Sequence, residues 1–545
     1  MLVSKVRLKV GAALGVAILG GSPAMAQVAA PVPVPAPAPP MPSMAIVMPA
    51  MPGHAGHDDN LVPKVPTLLT GYGQGGFPVT TSSPAAQAFF DNGMQLAHAF
   101  SHKAAIAAFA EARRLDPACA MCAWGEAWSS GPTINYDKDA AEIAALATIA
   151  DTAARLANSP AGPRATQRER DLIAALQSRY RGHNGDLAFA QAMDRLVTTY
   201  PTDNEIGTIA ADAWLVAPRP PGARTPNSWR SMALLETILA RDPNYTPAIH
   251  FYIHATEIAG QPARAEPYAD RLTALAPSAS HLVHMPSHTW YWVGRYQDAA
   301  DANMRAVALG IANAKRLGLP EPDGIWGLPY HEHNVTFGIG AALIAGDART
   351  ALALGRPLIA RAQVAHEAPV FRQMISAQGY FAISHFADPA EMLGLPEPVL
   401  PFLKGYYHYA RGEAFARQGN IAAVRAEAVA IAQRVPGATD AEAATSMLAI
   451  ARLVLIGRAA MLAHDPRRAL DAFTAAARIE EGHVMADASD PPAWWYPVRR
   501  DAADARLAMG DTAGGLRDLD TSLRNRPRDP VALAMKSRAA SIAPR

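Results

Sequence analysis

Seven residues in the middle of the chain, six histidines and a glutamate, have types and spacings suited to holding metal ions. The segments IHFYIHATEIAG and HLVHMPSHTWYWVGRY place His250 four residues before His254, and His284 four before His288. On a helix that spacing puts both imidazoles of a pair on one face. The second pair repeats the first after 34 residues. Glu257, seven residues after His250, falls on the same face, His281 lies three residues before His284, and YHEHN adds His333 next to His331. Imidazole is the commonest protein ligand for copper, zinc and iron, and a ring that is neutral near pH 7 displaces little proton on binding. The expected ion is copper first, then zinc or iron. No named zinc signature is completed here by a cysteine or carboxylate, and packing roles are the plain alternative for any single ring. Two pairs related by one spacing weaken that alternative. Pro286 is expected in the first turn of a helix, which leaves His284 at the helix edge.

The elements that must carry these residues are helical. In FFDNGMQLAHAFSHKAAIAAFAEARRLDP, Phe89, Gly93, Ala105, Phe109, Ala112 and Pro117 fall at the spacings of the 34-residue tetratricopeptide pattern. Small residues let two antiparallel helices approach, the aromatic fills the gap, and the proline ends the second helix. Gly260 with Ala265 and Pro277, then Gly294 with Ala299 and Ala306, mark two units in direct succession. More degenerate units carry Gly346 with Ala351, Gly419 with Pro436, Ala469 with Phe473 and Ala476, and Gly510 with Pro527. Strand signals are almost absent, and Pro/Gly clusters separate the helical stretches. The expected fold is an all-α, tetratricopeptide-like solenoid of antiparallel helix pairs over residues 67–545. ADPAEMLGLPEPVLP divides it into arrays 67–390, holding the histidines, and 391–545. In such arrays first helices stack along a concave groove, so His250, His254, His284 and His288 are expected to converge on one spot there.

Composition bounds the rest. The 545 residues are half apolar with 7% aromatics, which suits helices packed through small side chains. A net charge of +1 argues against a nucleic-acid partner held by bulk electrostatics. Lys5, Arg7 and Lys9 precede a short apolar run and the small residues Ala24 and Ala26, the pattern of a cleaved secretory signal over 1–26. No transmembrane segment is expected in the mature chain, and the expected location is periplasmic or secreted. Residues 27–66 form a Pro/Ala/Met-rich tether, expected to be extended and disordered. It carries Met41, Met44, Met48, Met51, His54 and His57, soft ligands suited to Cu(I), although low-complexity drift accounts for them as well. Cys119 and Cys122, the only cysteines, are expected to form a local disulfide first, then to act as metal ligands, then as a redox pair. Trp124, Trp128, Trp290, Trp292, Trp494, Trp495 and Tyr496 are expected to pack between helices. Arg499 and Arg500 are candidates to meet carboxylates, and His98 and His102 are expected to be ordinary surface or interhelix residues.

The strings TTSSPAAQAFFDNGMQLAHAFSHKAAIAAFAEA, CAMCAWGEAWSSGPTIN, HFYIHATE, SHLVHMPSHTWYWVGRY and PPAWWYPVR resemble a group of exported bacterial tetratricopeptide-repeat proteins without an assigned activity. The resemblance implies the fold and export, and no reaction. Two functions follow as expectations. The first is a periplasmic scaffold binding a protein, peptide or small ligand in its concave groove. The alternative is a metalloprotein built on the histidines, with a copper-dependent enzyme as its specific form.

Overall fold

Proline, glycine and small-residue spacing set where each helix begins and how closely its neighbour approaches. The computed structural model describes residues 66–160, 164–218, 226–435, 441–487 and 490–542. Residues 1–26, read above as a cleaved signal, and the methionine- and histidine-bearing stretch with Met41 to His57 lie outside the described residues. The described chain is all-α, with helices in succession from Pro84–His98 to Pro530–Ile542 and no extended strand among the described residues. Successive helices pack against each other as antiparallel pairs, giving a tetratricopeptide-like α-solenoid.

The first unit shows why the repeat spacing works. Helices Pro84–His98 and His102–Leu115 pair through Phe109, which is fully buried. A Cβ added at Gly93 would sit 2.7 Å from the Phe109 ring, so only glycine admits that aromatic. Ala105 and Ala112 are buried on the same face. The unit of Pro466–Glu480 repeats the device: Phe473 is fully buried against Gly457. Cys119 and Cys122 form a disulfide at the start of the Ala120–Ser129 helix, as the first of the three readings expects.

The seven aromatics from Trp124 to Tyr496 are buried, as interhelix packing requires. Arg499 pairs with Glu481 and Asp518, and Arg500 with Asp529. Among the described residues one helix, Glu442–Leu462, is long and apolar enough to cross a membrane by length and composition alone. It packs on helices Pro401–Arg417 and Pro466–Glu480, with Ala444, Leu448, Ala451 and Leu455 in the core, so tertiary packing accounts for its apolarity. The buried side chains fall into two large clusters, one running from Phe90 to Met285 with Tyr330, the other from Trp290 to Ala505. The histidine segment lies where one gives way to the other.

Candidate metal centre

Three helical segments and a helix start deliver the histidines. The Thr246–Ile258 helix begins with Pro247 in its first turn, and nearly its whole length is buried. Gly260 (φ 69°) ends it in a left-handed turn, with Gln261 N–H donating to the Thr256 carbonyl at 2.7 Å. In the next unit, Pro286 has no N–H to continue the ladder. The first helix of that unit therefore consists of two pieces, Ser280–His284 and Pro286–Val293, joined at Met285. Met285 keeps helical dihedrals, so His284 and His288 still share a face despite the break. Gly294 (φ 84°) ends the second piece. YHEHN, at His331 and His333, opens a further helix. The helix His331–Ala345 begins at His331, so both lie in its first turn. Two residues apart on a helix, they point in different directions. Only His333 joins the other histidines, while His331 packs edge-on against Trp326 at 4.7 Å.

All six expected histidine ligands come together, but as two triads rather than one spot. His250, His254 and His281 form one, with one ring nitrogen of each within 4.8 Å of the others; His284, His288 and His333 form the second by the same measure. The two helical pairs therefore do not share a centre. Each recruits a third ring from outside its i, i+4 pair. His281 comes from the start of the next unit's helix, and His333 from the unit after that. The triads abut, with ring centroids 5.6 Å apart for His254 and His288 and 5.7 Å for His281 and His284. His250 and His284 are fully buried, and His288, His281 and His254 are buried at 1%, 6% and 8% exposure. His333 is half-buried.

The nitrogen separations suit a shared ion. His284 Nε2 lies 2.9 Å from His288 Nε2, which lies 3.3 Å from His333 Nε2; His250 Nε2 and His281 Nε2 are 3.1 Å apart. Nitrogens about 2.0 Å from a common centre and 2.9 to 3.3 Å from each other subtend roughly 93° to 111° there, between octahedral and tetrahedral angles.

The outer nitrogens explain why the inner ones face inward. His250 Nδ1 donates to the His98 carbonyl at 2.7 Å, His284 Nδ1 to Asn303 Oδ1 at 2.7 Å, and His288 Nδ1 to Glu257 Oε2 at 2.7 Å. With Nδ1–H committed outward, the neutral ring keeps its lone pair on Nε2, and that atom points at the other rings. Histidine ligands of metals are oriented by this same kind of outer hydrogen bond. The supports are themselves fixed: Asn303 Nδ2 donates to the Ala299 carbonyl, Trp292 Nε1 donates to Glu257 Oε1 at 2.8 Å, and His98 Nε2 contacts Glu205 at 2.8 Å. Glu257 thus serves as a partner of His288 rather than as an added member of either triad. It forms a third cluster with His288 and Asp490, whose Oδ1 is 3.4 Å from His288 Nδ1.

Burial holds most of the rings neutral. It pushes His250 down to about 3, and His254, His281, His284 and His333 well below the usual histidine range, with neighbouring imidazoles adding to the effect. Burial acts on His288 too, but Glu257 and Asp490 outweigh it and raise its pKa. A proton on His288 can bridge one nitrogen pair. It leaves His333 Nε2 and the first triad, where the buried His254 Nε2 has no partner, without an equivalent.

Several residues of this centre gave no signal in the sequence. Asn303 comes from the partner helix of the His288 unit, and Asp490 from about 200 residues downstream. His98 and His102, expected at the surface or between helices, lie against the centre. His98 is an interhelix residue whose carbonyl orients His250, and both ring nitrogens of His102 are buried. Phe100 stacks on His281 at 4.9 Å and Tyr330 lies 4.4 Å from the same ring. Both have left-handed backbones, φ 54° and 65°, uncommon for bulky side chains and maintained only where tertiary structure insists.

No family model and no curated protein matches the chain. Among solved structures it is similar to the APC/C hetero-tetramer Cut9–Hcn1, at 13% identity and TM-score 0.30 over 83% of this chain and 76% of that one. It is also similar to the human IFIT1 dimer with m7Gppp-AAAA, at 12% identity and TM-score 0.29 over 85% and 91% of the two chains. The third is yeast Tom70, at 8% identity and TM-score 0.26 over 84% and 89%. At such scores, neither their ligands nor their partners carry over.

Proposed function

We propose that this chain is an exported metalloprotein whose six histidines hold two adjacent transition ions, copper first, and that the pair does oxidative chemistry. The observation that carries the reading is the set of inward Nε2 atoms 2.9 to 3.3 Å apart whose rings are anchored from behind by His98, Asn303 and Glu257. Packing alone does not ask buried lone pairs to face one another, since an unsatisfied buried polar atom costs about 1–3 kcal/mol. Three neutral imidazoles per ion suit copper, zinc or iron, and copper binds most tightly to such donors. Three protein ligands leave each ion an open position, as catalytic sites do. A copper pair supplies one-electron steps and dioxygen binding.

The chain's own residues do the rest. Glu257 and Asp490 place negative charge beside His288 and so offset the charge of bound cations. The buried rings exclude water, and the outer hydrogen bonds fix which nitrogen binds. Export is supported by the signal-like N-terminus and by the Cys119–Cys122 disulfide, which suits an oxidising compartment. A scaffold role in the concave groove is supported by the solenoid architecture, which names no ligand; the triads favour the metal reading.

Elemental analysis of untagged protein, purified after export and reconstituted with Cu(II), Zn(II) or Fe(II), tests it. The expected result is two ions per chain, with copper displacing the others, and none in a His254→Ala/His288→Ala variant. A wild-type chain that stays metal-free after reconstitution, while melting cooperatively, overturns the proposal in favour of the scaffold.

A further inference from the structure

Against the first triad lies a cavity of about 100 Å³ whose walls include Phe100, His102, His281, Tyr330 and His331. Its lining chemistry is one-sided. Lys103 and Arg316 contribute cationic groups, and no aspartate or glutamate is among the lining residues. No carboxylate lies within ion-pair distance of Arg316 among the described residues, and its guanidinium is bonded to Asn313. The three histidines of the wall have four buried ring nitrogens without a partner: both of His102, and Nδ1 of His281 and of His331. Charged or neutral, every imidazole carries at least one N–H donor. Such a concentration of unpaired buried polar atoms calls for a ligand or ordered water to complete it. The remaining walls combine the aromatic Phe100 and Tyr330 and nearby leucines with the polar Ser101, Ser278, Ser280 and Asn313.

We infer that this cavity binds a small carboxylate with an apolar, preferably aromatic, body. Arg316 holds the carboxylate together with imidazole donors, and the body lies along Phe100 and Tyr330 beside His281. That the bound carboxylate is the substrate of the ion pair rests on the metal reading above; the binding itself does not. His281 links the two, since its ring belongs to the cavity wall and also to the first triad.

Calorimetric titration of the full chain with benzoate, in metal-free and copper-loaded form, tests the inference, with benzamide as the uncharged control. One benzoate per chain is expected in both forms, with benzamide at least roughly ten-fold weaker, because charge-assisted bonds are about twice as strong as neutral ones. Arg316→Ala is expected to weaken benzoate by about ten-fold while leaving metal content unchanged. His102→Leu is expected to weaken it with the melting temperature preserved. Equal affinity for benzoate and benzamide, or indifference of benzoate to Arg316→Ala, overturns the inference. A chain that takes up two ions and ignores benzoate keeps the metal reading and discards this one. Benzoate binding by a chain that takes no metal keeps the cavity and removes its role as a substrate site.

Discussion

Replacing Glu257 by glutamine changes one atom type at the most informative support in the centre. Glu257 is buried, and its two oxygens accept from His288 Nδ1 at 2.7 Å and Trp292 Nε1 at 2.8 Å. Glutamine has one oxygen and one donating amide. If its oxygen faces Trp292, the amide meets His288 Nδ1, and the ring must move its proton to Nε2, the atom that faces His284 and His333. If the oxygen faces His288 instead, two donors meet at Trp292. The first arrangement blocks the Nε2 lone pair that an ion would need, and the second leaves buried donors unpaired, at about 1–3 kcal/mol. Changes to residues that orient a metal-binding histidine lower metal affinity by about 10- to 100-fold, or about 1.4–2.8 kcal/mol at 1.4 kcal/mol per decade. Chelator competition, read as bound copper per chain, should show that loss for one ion of the two, with the first-triad ion retained. Thermal melting of the metal-free variant checks that the fold is intact. An affinity within two-fold of the wild type for both ions, in a folded variant, would refute the role given to Glu257 and weaken the second site with it.

Single-site variants should separate the triads: His254→Ala is expected to lose one ion per chain and His284→Ala the other, by elemental analysis. Loss of both ions from either change would mean one joint centre. The metal-free protein should melt at lower temperature as pH falls. His102 and His250 are held neutral by burial, at about 4 and about 3 against about 6.5 unfolded. The unfolded chain thus takes up protons first, and stability present above pH 6.5 is lost as pH drops toward the folded values. His288, raised by Glu257 and Asp490 against burial, contributes in the opposite sense and offsets only part of this. A melting temperature that is flat between pH 7 and 5 would contradict the neutral cluster. Away from the centre, Gly93→Val should destabilise the fold by about 1–3 kcal/mol through overlap with Phe109, measured by urea unfolding. A variant as stable as wild type would show that the helix pair can repack.

The sequence by itself determined the helix pairs and most of the histidine cluster. Gly93, Phe109 and Ala112 mark a helix pair because close approach needs small residues and one filling aromatic, a constraint visible in one dimension. The i, i+4 spacing of His250 with His254, and of His284 with His288, survives into the structure because a helix converts sequence distance directly into a shared face. That His331 would turn away from His333 follows from the same geometry once the helix start is known. How the rings are shared was decided only by the tertiary structure. The 34-residue relation between the pairs suggests one merged spot, whereas stacking of successive units brings His281 to the first pair and His333 to the second. Asn303, Asp490, the His98 carbonyl and the left-handed Phe100 and Tyr330 left no trace in the sequence. Each acts through a contact between elements distant along the chain, and no local spacing rule records which helices meet.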